Sequence, residues 1–346
     1  MQRICGTLAD AGYDVLLVGR KLKDSLPLPA KNYKQKRLNC WFTKGKFFYA
    51  EFNTRLFFYL LFKPSDCICA IDLDTILPSF YVSKIKGIKR VYDAHEYFSQ
   101  LDEVISRPGI HRFWHRIERK MIPKFKNGYT VCDSLANEFN KNYNANYKVI
   151  RNVPLLSTLN DQVRSQNVIL YQGAVNKGRG LDKLALAMKN VNAQLWVCGN
   201  GNFIEEMKLA AQTNDLSDKI IFYGMLEPQE LKKRALNSYI AINPFEKTGL
   251  NQYLSLSNKF FDYIHACIPQ VTMNYPEYRR INDQYQVAEL IDDLTPETIA
   301  NAVNKLLNDK ELYSRLKQNC LKARQELNWQ KEKDKLLKFY QDLFDE

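Results

Sequence analysis

The chain reads as an α/β protein of two domains, each a parallel sheet covered by helices. Three observations predict this. Short β-rich runs recur along the chain with helical stretches between them, the alternation that parallel sheets require. At 346 residues and 45% hydrophobic, the chain can fill two separate cores, and 12% aromatic content argues against disorder. Charge divides it too: residues 1–151 hold 26 Lys and Arg against 14 Asp and Glu, while the remainder has 24 of each. The whole net charge of +12 therefore sits in the first part, and the two parts face different partners.

Residues 1–11 place Ile4, Leu8 and Ala11 at helical spacing, an amphipathic helix that Gly12 leads into a strand at 15–18. The aromatic run 41–62, with Lys44, Lys46 and Arg55 interleaved, reads either as a core-packed helix hairpin or as a face for a membrane interface or for stacking nucleotides. Strands at 67–71, 90–92 and 129–132 complete a first domain, 1–151. The polar stretch 152–167 contains Pro154, lacks periodicity and is the expected linker. A second domain, 168–328, carries strands at 168–171, 194–198, 220–223, 240–243 and 270–273. Residues 329–346 repeat apolar side chains (Leu336, Leu337, Phe339, Tyr340, Leu343) at helical spacing.

Eight cysteines without any Cys-x-x-Cys pair, several inside apolar runs, read as reduced core thiols of a cytoplasmic protein. The longest wholly apolar run, 56–62, is far short of the roughly 20 residues that span a bilayer. A basic first part suits an anionic membrane surface, a lipid-phosphate acceptor or nucleic acid, or is simply a soluble basic surface.

Chemistry concentrates in residues 255–271. Ser257 can cap a helix on which Lys259 and Asp262, three apart, share a side, while Phe260, Ile264 and Cys267 form the buried stripe and Pro269 ends the helix. Earlier, Arg179 lies in a loop with Gly173, Gly178 and Gly180, just ahead of a helix from Leu181. Fixed cations such as Arg179 and Lys259, beside glycines that let backbone N–H groups approach, are the groups that hold a phosphate. The plain alternatives are a surface arginine in a strand-to-helix turn and solvated helix charges.

In order along the chain stand Ile71-Asp72-Leu73-Asp74-Thr75, Val91-Tyr92-Asp93-Ala94-His95-Glu96-Tyr97-Phe98, Trp114-His115-Arg116-Ile117-Glu118, Tyr171-Gln172-Gly173, Gly178-Arg179-Gly180, Cys198-Gly199-Asn200-Gly201, Phe222-Tyr223-Gly224 and the Lys259 helix. Each is weak alone, but the ordered set resembles the retaining glycosyltransferases of the group 1, or family 4, type. That resemblance implies a GT-B fold of two facing Rossmann-like domains. The last helix would pack back on the first domain. It implies a metal-independent enzyme without cofactor that moves a hexose-like unit from a nucleoside-diphosphate sugar to a cell-surface glycan or lipid-linked acceptor. Contact with the anionic inner membrane face is compatible with this, and nucleic acid is not expected.

By the same resemblance the second domain holds the donor. Arg179 and Lys259 take the diphosphate, Asp262 takes the ribose, and Gly199 and Phe222 belong to the base-binding neighbourhoods 199–202 and 222–225. His95 bonds a donor-sugar hydroxyl from the first domain. Leu254 occupies the place of a family glutamate, so sugar contacts shift to Gly249, Leu250, Asn251 and Asn258; Ala174 replaces a family arginine. Asp72 and Asp74 look like a metal-holding pair but lie far from every donor motif. The first domain lacks the family's opening central strand, and Met1 is expected to be an internal methionine of a longer reading frame. An epimerase on the same scaffold and a non-catalytic binding subunit are the rival readings.

Overall fold

The computed structural model describes residues 1–346 apart from residues 24, 26, 160–164 and 346. The chain divides into two compact units, Met1–Arg151 with Lys331–Glu346, and Asn152–Gln330.

In the first unit, β1 (Leu16–Lys21) and β2 (Lys34–Asn39) form a parallel pair. A second parallel sheet runs β3 (Cys67–Ile71), β4 (Lys89–Ala94), β5 (Asn127–Thr130) and β6 (Asn146–Val149) in chain order. The first helix, Gln2–Asp10, buries Ile4, Cys5 and Leu8. Ala11 was expected inward, but it falls beyond the helix and is exposed. The aromatic run forms one helix, Gly45–Phe62, not a hairpin. Its Phe52 and Leu56 are buried, and Asn53 Nδ2 donates to the Asp74 carbonyl at 2.9 Å. The last helix, Trp329–Asp345, buries Leu336, Tyr340 and Leu343, with Phe339 edge-on to Tyr129 at 5.2 Å.

The second unit is built on six parallel strands in the order β12-β11-β10-β7-β8-β9. These are β7 (Ser165–Gln172), β8 (Gln194–Cys198), β9 (Ile220–Gly224), β10 (Ser238–Asn243), β11 (Gln270–Met273) and β12 (Ala288–Ile291). Every residue of β10 and β11 is buried, as a sheet covered on both faces demands. Three strands were not expected from sequence: β2, β6 and β12. Each is the outermost strand of its sheet, where one edge and part of a face need no apolar cover, so the apolar pattern is weak.

Order along this sheet reverses beside β7, since the chain steps from β7 to β8 and β9 and then returns to β10 on the other side. The loops leaving the carboxyl ends of β7 and β10 thus diverge and leave a crevice, the place where open α/β sheets bind ligands.

Candidate active site

β7 ends at Gln172, and Gly173 follows at φ +121°, a conformation that only glycine adopts cheaply. The loops after β7 and β8 are laced together. The Gly173 N–H donates to the Cys198 carbonyl (2.9 Å), that of Val175 to the Asn200 carbonyl (3.0 Å) and that of Phe203 to the Val175 carbonyl (2.9 Å). A Cβ on Gly199 would stand 1.8 Å from the Gly173 carbonyl oxygen, so this crossing admits no side chain. The loop after β10 joins them through the Glu246 N–H, which donates to the Gly178 carbonyl at 3.1 Å.

Against this backbone the two cations of the motif converge. The Arg179 guanidinium lies over the Phe245 ring at 4.4 Å. The Lys259 ammonium sits over Tyr171 at 4.0 Å and over the same Phe245 at 4.9 Å. A Cβ on Gly173 would lie 3.6 Å from Lys259 Nζ. That Nζ is buried and has no hydrogen-bond partner among the described residues. Burial, with the charge of Arg179 beside it, pushes the Lys259 ammonium well below the usual lysine range. Aromatic faces compensate only part of the lost hydration. Lys259 is therefore a desolvated amine beside a half-buried guanidinium, unlike Lys183, which Glu246 neutralises at 2.9 Å.

One turn along the helix Asn258–His265, Asp262 accepts a hydrogen bond from Gln172 Nε2 at 2.9 Å. Consecutive residues at the end of β7 thus receive the two motif side chains, Tyr171 under Lys259 and Gln172 at Asp262. Asp262 and Gln172 line a cavity of about 440 Å³, whose other walls include Pro228, Leu231, Lys232 and His265. Its size and mostly apolar walls with few polar groups suit a small organic ligand.

Other expected residues are less concentrated. Gly249 precedes the short helix Leu250–Leu254, on which Asn251 is buried while Leu250 is exposed. Asn258 turns away, its Oδ1 accepting from Asn152 Nδ2 at 3.0 Å. Phe222 lies on β9, separated from β7 by β8. Ser257 takes the N-cap position, but its hydroxyl bonds Asn243 Oδ1 (3.2 Å) instead of capping the helix. The helix stops at His265, and the expected stripe residue Cys267 is buried just beyond it in the left-handed region (φ +53°). Sequence reasoning overlooked Thr248 and Gln252. Thr248 Oγ1 and Gln252 Oε1, on either side of Gly249, are buried without hydrogen-bond partners among the described residues. Their only signal was polarity in a loop following a buried strand.

His95 belongs to the first unit, just past β4. Its Nε2 is 3.2 Å from the buried Asp93 carboxylate, which holds the imidazole above its ordinary value against the opposing effect of burial. Asp72 Oδ1 accepts the His95 N–H at 2.9 Å and the Glu96 N–H at 3.3 Å, and burial pushes its carboxyl up to about 7. One oxygen of Asp72 is thus committed to shaping the loop after β4. The described residues contain no group of three or more His, Cys, Asp and Glu arranged to hold a metal.

Residues 160–323 match the family model described as glycosyl transferases group 1. The fold is similar to that of sucrose-phosphate synthase from Thermosynechococcus elongatus (TM-score 0.78, 16% identity, covering 99% of this chain and 92% of that one). It is similar also to WaaG, a glycosyltransferase involved in lipopolysaccharide biosynthesis (0.73, 15%, 96% and 94%). A third such structure is Anabaena HepE in complex with UDP-glucose (0.72, 11%, 90% and 86%). No curated protein matches the chain.

Proposed function

From a chain whose second unit is a glycosyl transferases group 1 domain and whose fold is GT-B, we propose that this glycosyltransferase works with retention of configuration and without metal. It carries a sugar from a nucleoside-diphosphate donor to a cell-surface glycan or lipid-linked acceptor, at the anionic inner face of a membrane. UDP-glucose bound to HepE and the lipopolysaccharide role of WaaG support the donor and acceptor classes by analogy.

The observation that carries this reading is the buried, unpartnered Lys259 amine beside the half-buried Arg179 guanidinium at the glycine loops. Charge developing on a leaving diphosphate would be met by groups already fixed in place by Phe245 and Tyr171, Lys259 gaining its proton as the anion binds. Gly173, Gly180 and Gly199 keep side chains out of that approach. Asp262 takes the ribose hydroxyls at the mouth of the cavity. Gly249, Leu250 and Asn251, with the buried polar atoms of Thr248 and Gln252, read the sugar. Glu246, next to Phe245 in the chain, is paired with Lys183 at 2.9 Å and is not a free nucleophile. That supports front-face attack, with the departing phosphate taking the acceptor proton, over a covalent glycosyl–enzyme.

Arg179→Ala and Lys259→Ala should each lower turnover of labelled nucleotide sugars about a hundredfold. Retention is read from the anomeric configuration of the product by NMR, and a chelator should leave the rate unchanged. Epimer released without acceptor would point to an epimerase. A chain that binds no nucleotide would be a glycan- or partner-binding subunit, the reading that Leu254 in place of a carboxylate favours.

A further inference from the structure

The first unit presents a face that sugar transfer leaves unused. On the helix Gly45–Phe62, Phe47, Thr54, Phe58 and Phe62 fall at the spacings of one helical face, and all four are exposed, Phe62 to 81%. The preceding loop is pinned over the same stripe. Glu51 accepts the backbone N–H of Trp41 (2.9 and 3.0 Å to its two oxygens) and of Phe42 (2.9 Å), and the Arg55 guanidinium lies 4.8 Å over the Trp41 ring. Trp41 is thereby held in a fixed place yet 85% exposed, with Phe42 packed on Phe47 at 5.4 Å. Five large aromatic side chains are thus turned to water.

Charge narrows what can cover them. Residues 36–63 contain six Lys and Arg (Lys36, Arg37, Lys44, Lys46, Arg55, Lys63) against one acid, Glu51, whose carboxylate is spent on Trp41, Phe42 and Arg55. A second copy would set the same cations against each other across a two-fold contact. A nucleic-acid duplex offers phosphates but no apolar interior for protruding phenyl rings, and single-stranded bases, which stack on such rings, are the competitor that the RNA arm below tests. A bilayer with anionic headgroups offers both.

We propose that this face docks on the surface of a bilayer containing anionic lipid. Trp41, Phe58 and Phe62 enter the boundary between headgroups and acyl chains, while Lys44, Lys46 and Lys63 meet the phosphates. The chain lies on the membrane there: among the described residues no helix is long and apolar enough to cross one. This deepens the preceding reading by naming the surface that would meet a lipid-linked acceptor, and it rests on that reading only for its purpose, since docking needs no donor.

The test uses the full chain with vesicles of phosphatidylcholine alone or mixed with phosphatidylglycerol. Trp41 is the reporter in a Trp196→Phe background, because Trp114 and Trp329 are buried while Trp196 is only half-buried. Expected are co-sedimentation and a blue shift of emission with the anionic vesicles only. Both should be lost as salt rises from about 0.1 M to about 1 M, which shortens the Debye length from about 10 to about 3 Å. The double variant Phe58→Ser, Phe62→Ser keeps the reporter and should partition at least about tenfold more weakly. Lys44→Glu with Lys63→Glu should abolish the preference for anionic lipid. UDP binding by both variants should equal that of the parent chain, showing that they fold and separating failure here from failure of the transfer reading. Equal binding to neutral vesicles, no sedimentation at low salt, a dimer that the Phe58, Phe62 variant dissolves, or RNA that outcompetes anionic vesicles would overturn the proposal.

Discussion

Lys259 has exchanged water for two aromatic rings, and burial together with Arg179 disfavours its charged form. A bound diphosphate would reverse that balance, so its pKa should rise on binding and protons should be taken up between the lowered free value and the ordinary lysine value of about 10. Affinity for UDP should then fall as pH climbs through the bound-state pKa. Calorimetry in two buffers of different ionisation heat measures the uptake, and Lys259→Met should remove it; identical apparent heats across that window would sink the idea. Asp262 makes a separate prediction. If it accepts from ribose, the parent chain should lose about tenfold in affinity on passing from UDP to its 2′-deoxy analogue, and Asp262→Ala should bind both alike. Both side chains were visible in sequence because three residues on a helix share a side. Thr248, Gln252 and Phe245 were not, since no period governs a loop or a five-residue helix, and burial of one polar atom is decided by neighbours distant in the chain.

At the level of elements, the glycine crossing between β7 and β8 is the tightest constraint near the site. Gly199→Ala drives a methyl into the Gly173 carbonyl, and residue 199 also holds φ +153°. Two laced loops cannot yield separately, so the substitution should cost several kcal/mol, on the order of 3 or more, and abolish UDP binding. A thermal melt showing a midpoint near that of the parent chain would contradict this. By contrast Gly12 meets nothing within 4 Å, and adding a methyl there strains only its own φ of +93°. The buried strands β10 and β11, with residues 168–172 of β7, were legible because both of their faces are covered and their side chains are mostly apolar. Lys-Gln-Lys-Arg-Leu-Asn in β2 forms a strand for another reason: β1 supplies its hydrogen-bond partners in parallel register from Leu16 with Lys34 to Lys21 with Asn39. Such pairing leaves no trace in the polarity of the strand itself.

For the molecule as a whole, every residue proposed for the donor except His95 falls in the unit Asn152–Gln330. UDP at about 100 times its Kd should therefore stabilise that unit by about 2.7 kcal/mol. Hydrogen exchange should show the protection at residues 172–180, 198–203 and 244–262, and an effect confined to other segments would move the donor elsewhere. The amino-acid sequence by itself determined the fold class, the placement of charge in the first 151 residues and the order of the motifs, because periodicity, composition and spacing are local properties that need no partner. Only the tertiary structure decided that Arg179 and Lys259 share Phe245, that Asp262 meets Gln172 at a cavity, and that Trp41 and Phe62 stay in water instead of in a core. Those outcomes depend on which strand neighbours β7 and on what packs against one face of the helix Gly45–Phe62, and such long-range choices are fixed by burial and backbone pairing across the fold.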